Sequence, residues 1–176
     1  ISFNEEVNSL YASAAGIYVC EPNYLKSAQS VIFEGSQGFA LDEVYGTIPH
    51  TTYSNTRPTY ALELSEELGL DRPKILGIIR PYETRHGNGP MFKEYFDNEI
   101  DVSKDHNFNN GSFAGTFRIG ALDTDAINKA FQICECEALV VNCVDHVCGG
   151  HMASILPAIP KVSITSYGPT SNDRVE

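Results

Sequence analysis

At 176 residues and 42% hydrophobic, the chain has the size and apolar content of one domain with a real core. Its formal charge of -11 excludes a general nucleic-acid or anionic-membrane surface, because phosphate backbones are bound by basic patches and no basic stripe is present. No apolar run reaches the roughly 18 residues of a membrane helix, and no charged-then-apolar leader is readable. The chain starts at Ile1 rather than Met, which reads as a processed end or an incomplete protein.

Asn4 to Ala15, "NEEVNSLYASAA", has an Asn cap candidate, early glutamates and spaced Val7, Leu10 and Tyr11, and predicts a helix. "SVIFEG" predicts a short buried strand ending at Gly35. A long loop follows, through Gly35-Ser36-Gln37-Gly38, a turn at Tyr45-Gly46 and a hydroxyl-rich run ending at Thr56. Pro58 opens a predicted helix, "PTYALELSEELG", with Gly69 in the place of a C-terminal cap. Lys74 to Arg80, "KILGIIR", is a continuous apolar strand. Asp123 to Cys134 predicts a helix with acidic residues in its first turn, where the positive helix end favours them. "ALVVNCVD" and "KVSITSYG" supply two further strands. Apolar runs of this length, separated by helices, predict an α/β fold with a mostly parallel central sheet and helices on both faces.

Five cysteines, an odd number, do not form the framework of a small secreted domain, and a reducing compartment is expected. Cys134, Cys136, Cys143 and Cys148, with His146 and His151, form a local cluster that suggests zinc. Its spacing fits no common paired-ligand pattern, and Cys143 sits in an apolar run where a small buried thiol is ordinary. Core packing is the simpler reading, with a zinc-bearing interaction domain as the alternative.

In parallel sheets, ligands bind beyond the carboxyl ends of the strands. The predicted ends here are Glu34-Gly35-Ser36-Gln37-Gly38, "PYETRHGNGP", Asn142-Cys143-Val144-Asp145 and Ser166-Tyr167-Gly168-Pro169. Four polar ends on one rim, three of them Gly-bearing, predict one site. Each has a plainer reading alone: Gly35 and Gly38 suit a tight turn, Gln37 suits loop backbone groups, and Thr51, Thr52, Ser54 and Thr56 suit a solvent-facing loop. Asp145 suits a cap, or a carboxylate set against base-edge N–H donors.

Taken in order, "FEGSQG...LD...GTIP..T.SNT" at Phe33 to Thr56, "TRHGNGP..KE" at Thr84 to Glu94 and "GSFAGTFRIGALDTDAI" at Gly111 to Ile127 resemble adenylosuccinate synthetases. The resemblance covers roughly Ser30 to Asp145 and returns near Ser166 to Pro169. It implies an adenylosuccinate-synthetase-like fold related to P-loop NTPases. By the same resemblance Gln37 reaches the purine of a nucleoside monophosphate, which Thr52 and Arg118 hold. Gly111, Ser112, Gly115, Thr116, Phe117 and Arg118 form the loop that receives L-aspartate. Asn142, Cys143, Asp145, Ser166 and Gly168 hold the base of a nucleoside triphosphate. Hydroxyls and loop N–H groups suit phosphate, and a guanidinium suits a carboxylate.

Two departures bear on substrate choice. Family members usually carry a run of four arginines before "G-[WA]-[LF]-D", whereas "GTFRIG" keeps only Arg118 and is one residue shorter. Where the guanine-reading strand end usually has Lys before the Asp, this chain has Cys143, so a Lys stem stacked over guanine is lost. The segment between Asp145 and Ser166 is also short. These traits resemble the bacteriophage branch, the 2-aminoadenylosuccinate synthetases, which join L-aspartate to dGMP with ATP on the way to 2-aminoadenine DNA.

The resemblance implies a phosphoryl transfer to the purine 6-oxygen and its displacement by aspartate nitrogen, with magnesium and ATP, or alternatively GTP, as cofactor and cosubstrate. The family's catalytic Asp, general-acid His and phosphate loop belong to its N-terminal half. No G-D-E-G-K-G-K-like stretch is present, and His86, His106, His146 and His151 match no catalytic position. No catalytic and no metal-ligating residue is assigned in this chain. Residues 1–176 therefore read as the C-terminal part of a single synthetase-like domain without its phosphate-loop half, expected to bind weakly and catalyse nothing alone. The alternatives are a GTP-dependent enzyme acting on IMP and a non-catalytic nucleotide-binding module. The expected partners are small molecules, with neither nucleic acid nor membrane, in the cytoplasm (a host's if phage-encoded). The family's typical assembly is a homodimer.

Overall fold

The computed structural model describes residues 21–94, 100–105, 108 and 115–176. The predicted helix at Asn4 to Ala15 and the loop residues Gly111 and Ser112 lie outside the described residues. The chain divides into two compact units, one of Ile1–Glu34 with Tyr60–Pro73 and one of Gly35–Thr59 with Lys74–Glu176.

The first unit holds the 3-10 segment Pro22–Ser27 and nearly all of helix α1, Thr59–Leu68. The helix ends as its sequence predicts. Gly69 takes φ +65°, the Gly69 N–H donates to the Glu66 carbonyl, and the Leu70 N–H donates to the Ser65 carbonyl, so one left-handed residue satisfies two orphan carbonyls. The strand predicted at "SVIFEG" does not form. Residues 30–34 have no ladder partner among the described residues, and Ile32 is 90% exposed. A short apolar run does not fix its own state, because a strand's backbone groups need a neighbour to bond.

The second unit contains, in chain order, β1 (Leu76–Ile79), β2 (Glu83–His86), β3 (Phe117–Gly120), α2 (Thr124–Ile133), β4 (Ala138–Val141), α3 (Gly149–Ile155), β5 (Val162–Ser166) and β6 (Arg174–Val175). One sheet has the order β1-β4-β5-β6, with the first three strands parallel and β6 antiparallel. The α/β class with a mostly parallel sheet is therefore as predicted. Leu139 and Val141 share one face of β4 and are buried with Val144, Met152 and Ile159, against Ile127 and Phe131 of α2 and Ile155 of α3. Gly77 on β1 belongs to that packing, since a Cβ there would lie 2.7 Å from Leu139 Cδ2. On the opposite face of β1, Leu76 and Ile78 are half or more exposed.

Asp123 caps α2, its side chain accepting the Ala126 N–H at 2.9 Å. The second sheet was not legible in the sequence. β2 and β3 pair antiparallel in register Glu83↔Gly120 through His86↔Phe117, and Phe117 and Ile119 bury against Tyr82 and Ile100. "TRHGNGP" and "GTFRIG" look like loops because of their glycines, but Phe-x-Ile alternation gives β3 one apolar face.

Candidate substrate-positioning site

The 35–57 segment is organised by a residue to which the sequence motif gives no role. Asp42 is fully buried. Its Oδ1 accepts the N–H groups of Val44 at 2.9 Å and Tyr45 at 3.1 Å. Its Oδ2 accepts the Thr56 N–H at 2.9 Å, the Thr56 hydroxyl at 3.4 Å and Arg57 Nε at 3.3 Å. One carboxylate thereby holds both the turn after itself and the far end of the loop. Burial alone raises its pKa, but the bonds from Thr56, Val44, Tyr45 and Arg57 outweigh burial and bring it down to about 2.

Other contacts close the same loop. The Thr56 hydroxyl donates to the Gly38 carbonyl at 3.2 Å, and the Thr52 N–H donates to the Leu41 carbonyl at 2.8 Å. Arg57 lies 5.1 Å from the Tyr45 ring centroid, and Tyr45 stacks on Phe39. Gly46 is required by close approach, since a Cβ would come within 2.6 Å of the Asp42 carbonyl oxygen. Gln37 is exposed in a left-handed conformation, φ +67°. The Thr52 and Ser54 hydroxyls are 3.3 Å apart.

A second group gathers on the β2–β3 sheet. Arg85 and Arg118 are directly opposite in its register and so share a face. Arg118 sends Nε to Glu94 Oε1 at 2.8 Å and Nη2 to Glu94 Oε2 at 2.5 Å, a two-pronged pair, and Nη1 to the carbonyls of Gly87 and Gly89, both at 2.9 Å. These bonds use four of its five N–H donors. The bond to Arg118 holds the Glu94 carboxyl below its ordinary range, and the bond to Glu94 raises the guanidinium.

Arg85 donates Nε to the Asn88 carbonyl at 2.9 Å and Nη2 to the His50 carbonyl at 3.0 Å, which joins β2 to the 35–57 loop. Its guanidinium lies against Gly89 so closely that a Cβ there would come within 2.5 Å of Nε. Gly115, at φ +84°, packs on Gly87, and the Gly87 N–H donates to the Thr116 carbonyl. Of the predicted aspartate-loop residues, Gly115 and Thr116 thus lie on the tied Gly87–Thr116 turn, while Phe117 and Arg118 are strand residues and Phe117 is buried core.

The third group lies at the carboxyl ends of β1, β4 and β5, which the parallel register brings side by side. The Asn142 N–H donates to the Ile79 carbonyl at 2.9 Å. Cys143 takes φ +60°, ψ +33°, a left-handed turn that aims the chain into the 3-10 segment Val144–His146. Burial raises its thiol pKa, so the side chain stays neutral. The buried Ser166 hydroxyl donates to the Gly168 carbonyl at 2.9 Å. Asp173, in a capping box with Thr170, folds the Ser166–Gly168 turn back, and its carboxyl group fills the space a Cβ on Gly168 would take, 2.8 Å away.

The expectation of four strand ends on one rim is corrected in two places. The Gly35–Gly38 segment follows no strand, and the residues after Tyr82 leave the rim as β2 to pair elsewhere, because their apolar partners sit on β3 rather than in the parallel sheet. Among the described residues no group of three or more His, Cys, Asp or Glu side chains comes together to hold a metal ion, and no helix is long and apolar enough to cross a membrane.

Cys143 gives a direct stability test. An L-residue in the left-handed region costs about 1 kcal/mol relative to glycine. Cys143→Gly is therefore expected to raise the urea midpoint by an amount worth roughly 0.5–1 kcal/mol after the loss of thiol packing. A lowered midpoint would mean that the thiol contacts outweigh the backbone strain.

Parallel strands whose carboxyl ends lie side by side in polar turns place the chain in the open-sheet α/β class. The adenylosuccinate synthetase family profile matches residues 3–155, and the chain belongs to that family. It is 38% identical over 136 residues to the adenylosuccinate synthetase of Wigglesworthia glossinidia brevipalpis, covering 74% of this chain and 31% of that protein. It is 36% identical over 145 residues to that of Thioalkalivibrio sulfidiphilus, covering 73% and 33%. The chain thus spans about a third of the length of these curated relatives.

Among solved structures, the succinoaminodeoxyadenylate synthetase of cyanophage S-2L, bound to dGMP and dATP as an energy donor, is similar with a TM-score of 0.64 at 19% identity, over 80% of this chain and 44% of that one. Fully ligated adenylosuccinate synthetase from Plasmodium falciparum is similar with a TM-score of 0.53 at 22% identity, over 66% and 28%. At these identities the likeness shows the fold.

Proposed function

We propose that this chain is the substrate-positioning part of a ligase that joins L-aspartate to the 6-position of dGMP, using ATP, to give a 2-amino-2'-deoxy-N6-succinyladenylate. Family membership supports the ligase class. The observation that carries the finer reading is Cys143 at the end of β4, where a guanine-reading member usually carries Lys. A thiol in a left-handed turn has no long stem to lay over guanine, which favours ATP over GTP. The cyanophage enzyme, solved with dGMP and dATP, is a relative in fold whose ligands agree with this choice.

In this reading the Asp42-centred loop presents Gln37 to the purine and the Thr52 hydroxyl to the monophosphate. Among the described residues Arg85 has two of its five N–H donors engaged and offers the others to a phosphate or carboxylate, whereas Arg118 has four engaged and chiefly holds the loops. Asn142, Asp145, Ser166 and Gly168 frame the base of the triphosphate. Magnesium neutralises phosphoryl charge in such transfers. The phosphate loop and the catalytic acid and base come, in this reading, from sequence outside residues 1–176.

The test is turnover by the full-length protein with L-aspartate and magnesium, crossing dGMP and IMP against ATP and GTP. Succinylated product from dGMP with ATP, at least tenfold above the IMP and GTP pairing, is the expected result. Product from IMP with GTP alone would overturn the substrate assignment while leaving the ligase class intact.

A further inference from the structure

Cys143 leaves the strand end without a lysine stem over the base, yet an ammonium reaches the neighbouring Asp145 from elsewhere in the chain. The 100–105 segment is laid across the turn that follows β4. Ile100 forms an isolated antiparallel bridge with Val147, and the Asp101 N–H donates to the His146 carbonyl at 2.7 Å. Asp105 is buried and pairs with Arg80 at the end of β1. Between these anchors the 3-10 turn Val102–Lys104 sends Lys104 Nζ to the Asp145 backbone carbonyl at 2.6 Å, with Asp145 Oδ2 4.0 Å away. Lys104 Nζ also lies 3.9 Å from Asp101 Oδ2, whose partner oxygen accepts the Ser103 hydroxyl. On the other side of Asp145, His146 Nε2 is 3.9 Å from Oδ2, and Nδ1 of the same ring is 2.7 Å from the Tyr82 hydroxyl. Asp145 is thus flanked, not isolated.

We infer that Lys104 is a specificity-determining residue for the base of the nucleoside triphosphate, presenting with Asp145 an ammonium donor beside a carboxylate acceptor. The inference rests on the reading of this strand end as the base site. Its chemistry is a matter of counting donors. Guanine offers a carboxylate two adjacent donors, N1–H and the 2-amino group, and two unencumbered oxygens suit it best. Adenine offers one amino donor next to the N1 acceptor, and a carboxylate with an adjacent ammonium matches that edge in both positions. Lys104 beside Oδ2 therefore favours adenine twice, by meeting N1 and by drawing on the oxygen guanine would use. Nothing in the local sequence of β4 shows this, because Lys104 is 41 residues from Asp145.

The experiment measures kcat/KM for ATP and for GTP in the full-length protein and its Lys104→Met variant, at fixed monophosphate and aspartate. The ATP-to-GTP ratio is expected to fall about tenfold or more in the variant, the worth of one hydrogen bond to a charged group. KM for aspartate is expected to stay within about twofold, since Lys104 is on the other sheet's rim. An unchanged ratio in an active variant overturns the inference. Should Lys104→Met fail to fold, Lys104→Arg and Lys104→Gln are read in its place, Arg keeping the ratio and Gln lowering it, and equal ratios in the two overturn the inference. Wild-type protein that turns over neither triphosphate refutes the proposed function instead. In that case equilibrium binding of ATP and GTP to both proteins still reads the role of Lys104, and binding of neither overturns it as well.

Discussion

Asp42→Ala is expected to cost about 3–4 kcal/mol of stability, close to what removing one member of a buried, hydrogen-bonded ion pair costs elsewhere. The carboxylate is the shared acceptor for three backbone N–H groups, one hydroxyl and Arg57, and alanine would leave these donors unmatched around a cavity. Asp42→Asn keeps the shape and one good acceptor but turns an N–H₂ toward Thr56 and Arg57, and about 2 kcal/mol is expected. Urea unfolding of the two variants beside the parent checks the order. Equal midpoints for all three proteins would show that the loop holds itself without Asp42.

The same residue sets a pH signature. Its carboxyl lies near pKa 2 in the fold, against 3.8 as its ordinary value, so the unfolded chain takes up a proton first as pH falls. The stabilisation, about 2 kcal/mol, is fully present above pH 4 and disappears as pH falls from there toward 2. Asp42→Asn should flatten that part of the stability curve, leaving only what other carboxylates contribute.

In the proposed ligase, Arg118→Ala is expected to lower kcat/KM for L-aspartate about 100-fold or more, and Arg118→Lys nearly as much. The reason is positional. Arg118 ties Glu94, Gly87 and Gly89 to β3 with four hydrogen bonds, and these hold the turn on which Gly115 packs. Lysine is a point charge and cannot make the two-pronged pair with Glu94 together with both carbonyl contacts. If aspartate instead bound through a full guanidinium fork, Glu94→Gln would free the fork and lower KM. The structure favours the opposite, a rise of about tenfold as the pair loosens, and KM for aspartate in Glu94→Gln separates the two.

Where a structural cue was local, it could be read from the chain. Gly69 closes α1 and Asp123 opens α2 because caps act within one turn of the backbone they satisfy. The apolar runs at β1, β4 and β5 are parallel strands, and the unbroken aliphatic run of β4 lies between the other two and is the most buried of the three. "SVIFEG" has the same look and forms no strand, since pairing depends on what lies beside it and not on the run itself.

The ordered motifs determined the family, because those residue types recur at fixed offsets along the chain. The sequence by itself could not tell that Asp42 is the pivot of its loop, that Arg85 stands across from Arg118, that Glu94 occupies the guanidinium, or that Lys104 reaches Asp145. Each of these joins residues that are far apart in the chain but adjacent in space. A charged side chain has the same identity whether it is solvated or spent on a partner. Only the tertiary structure decides which donors are already used and which remain for a ligand.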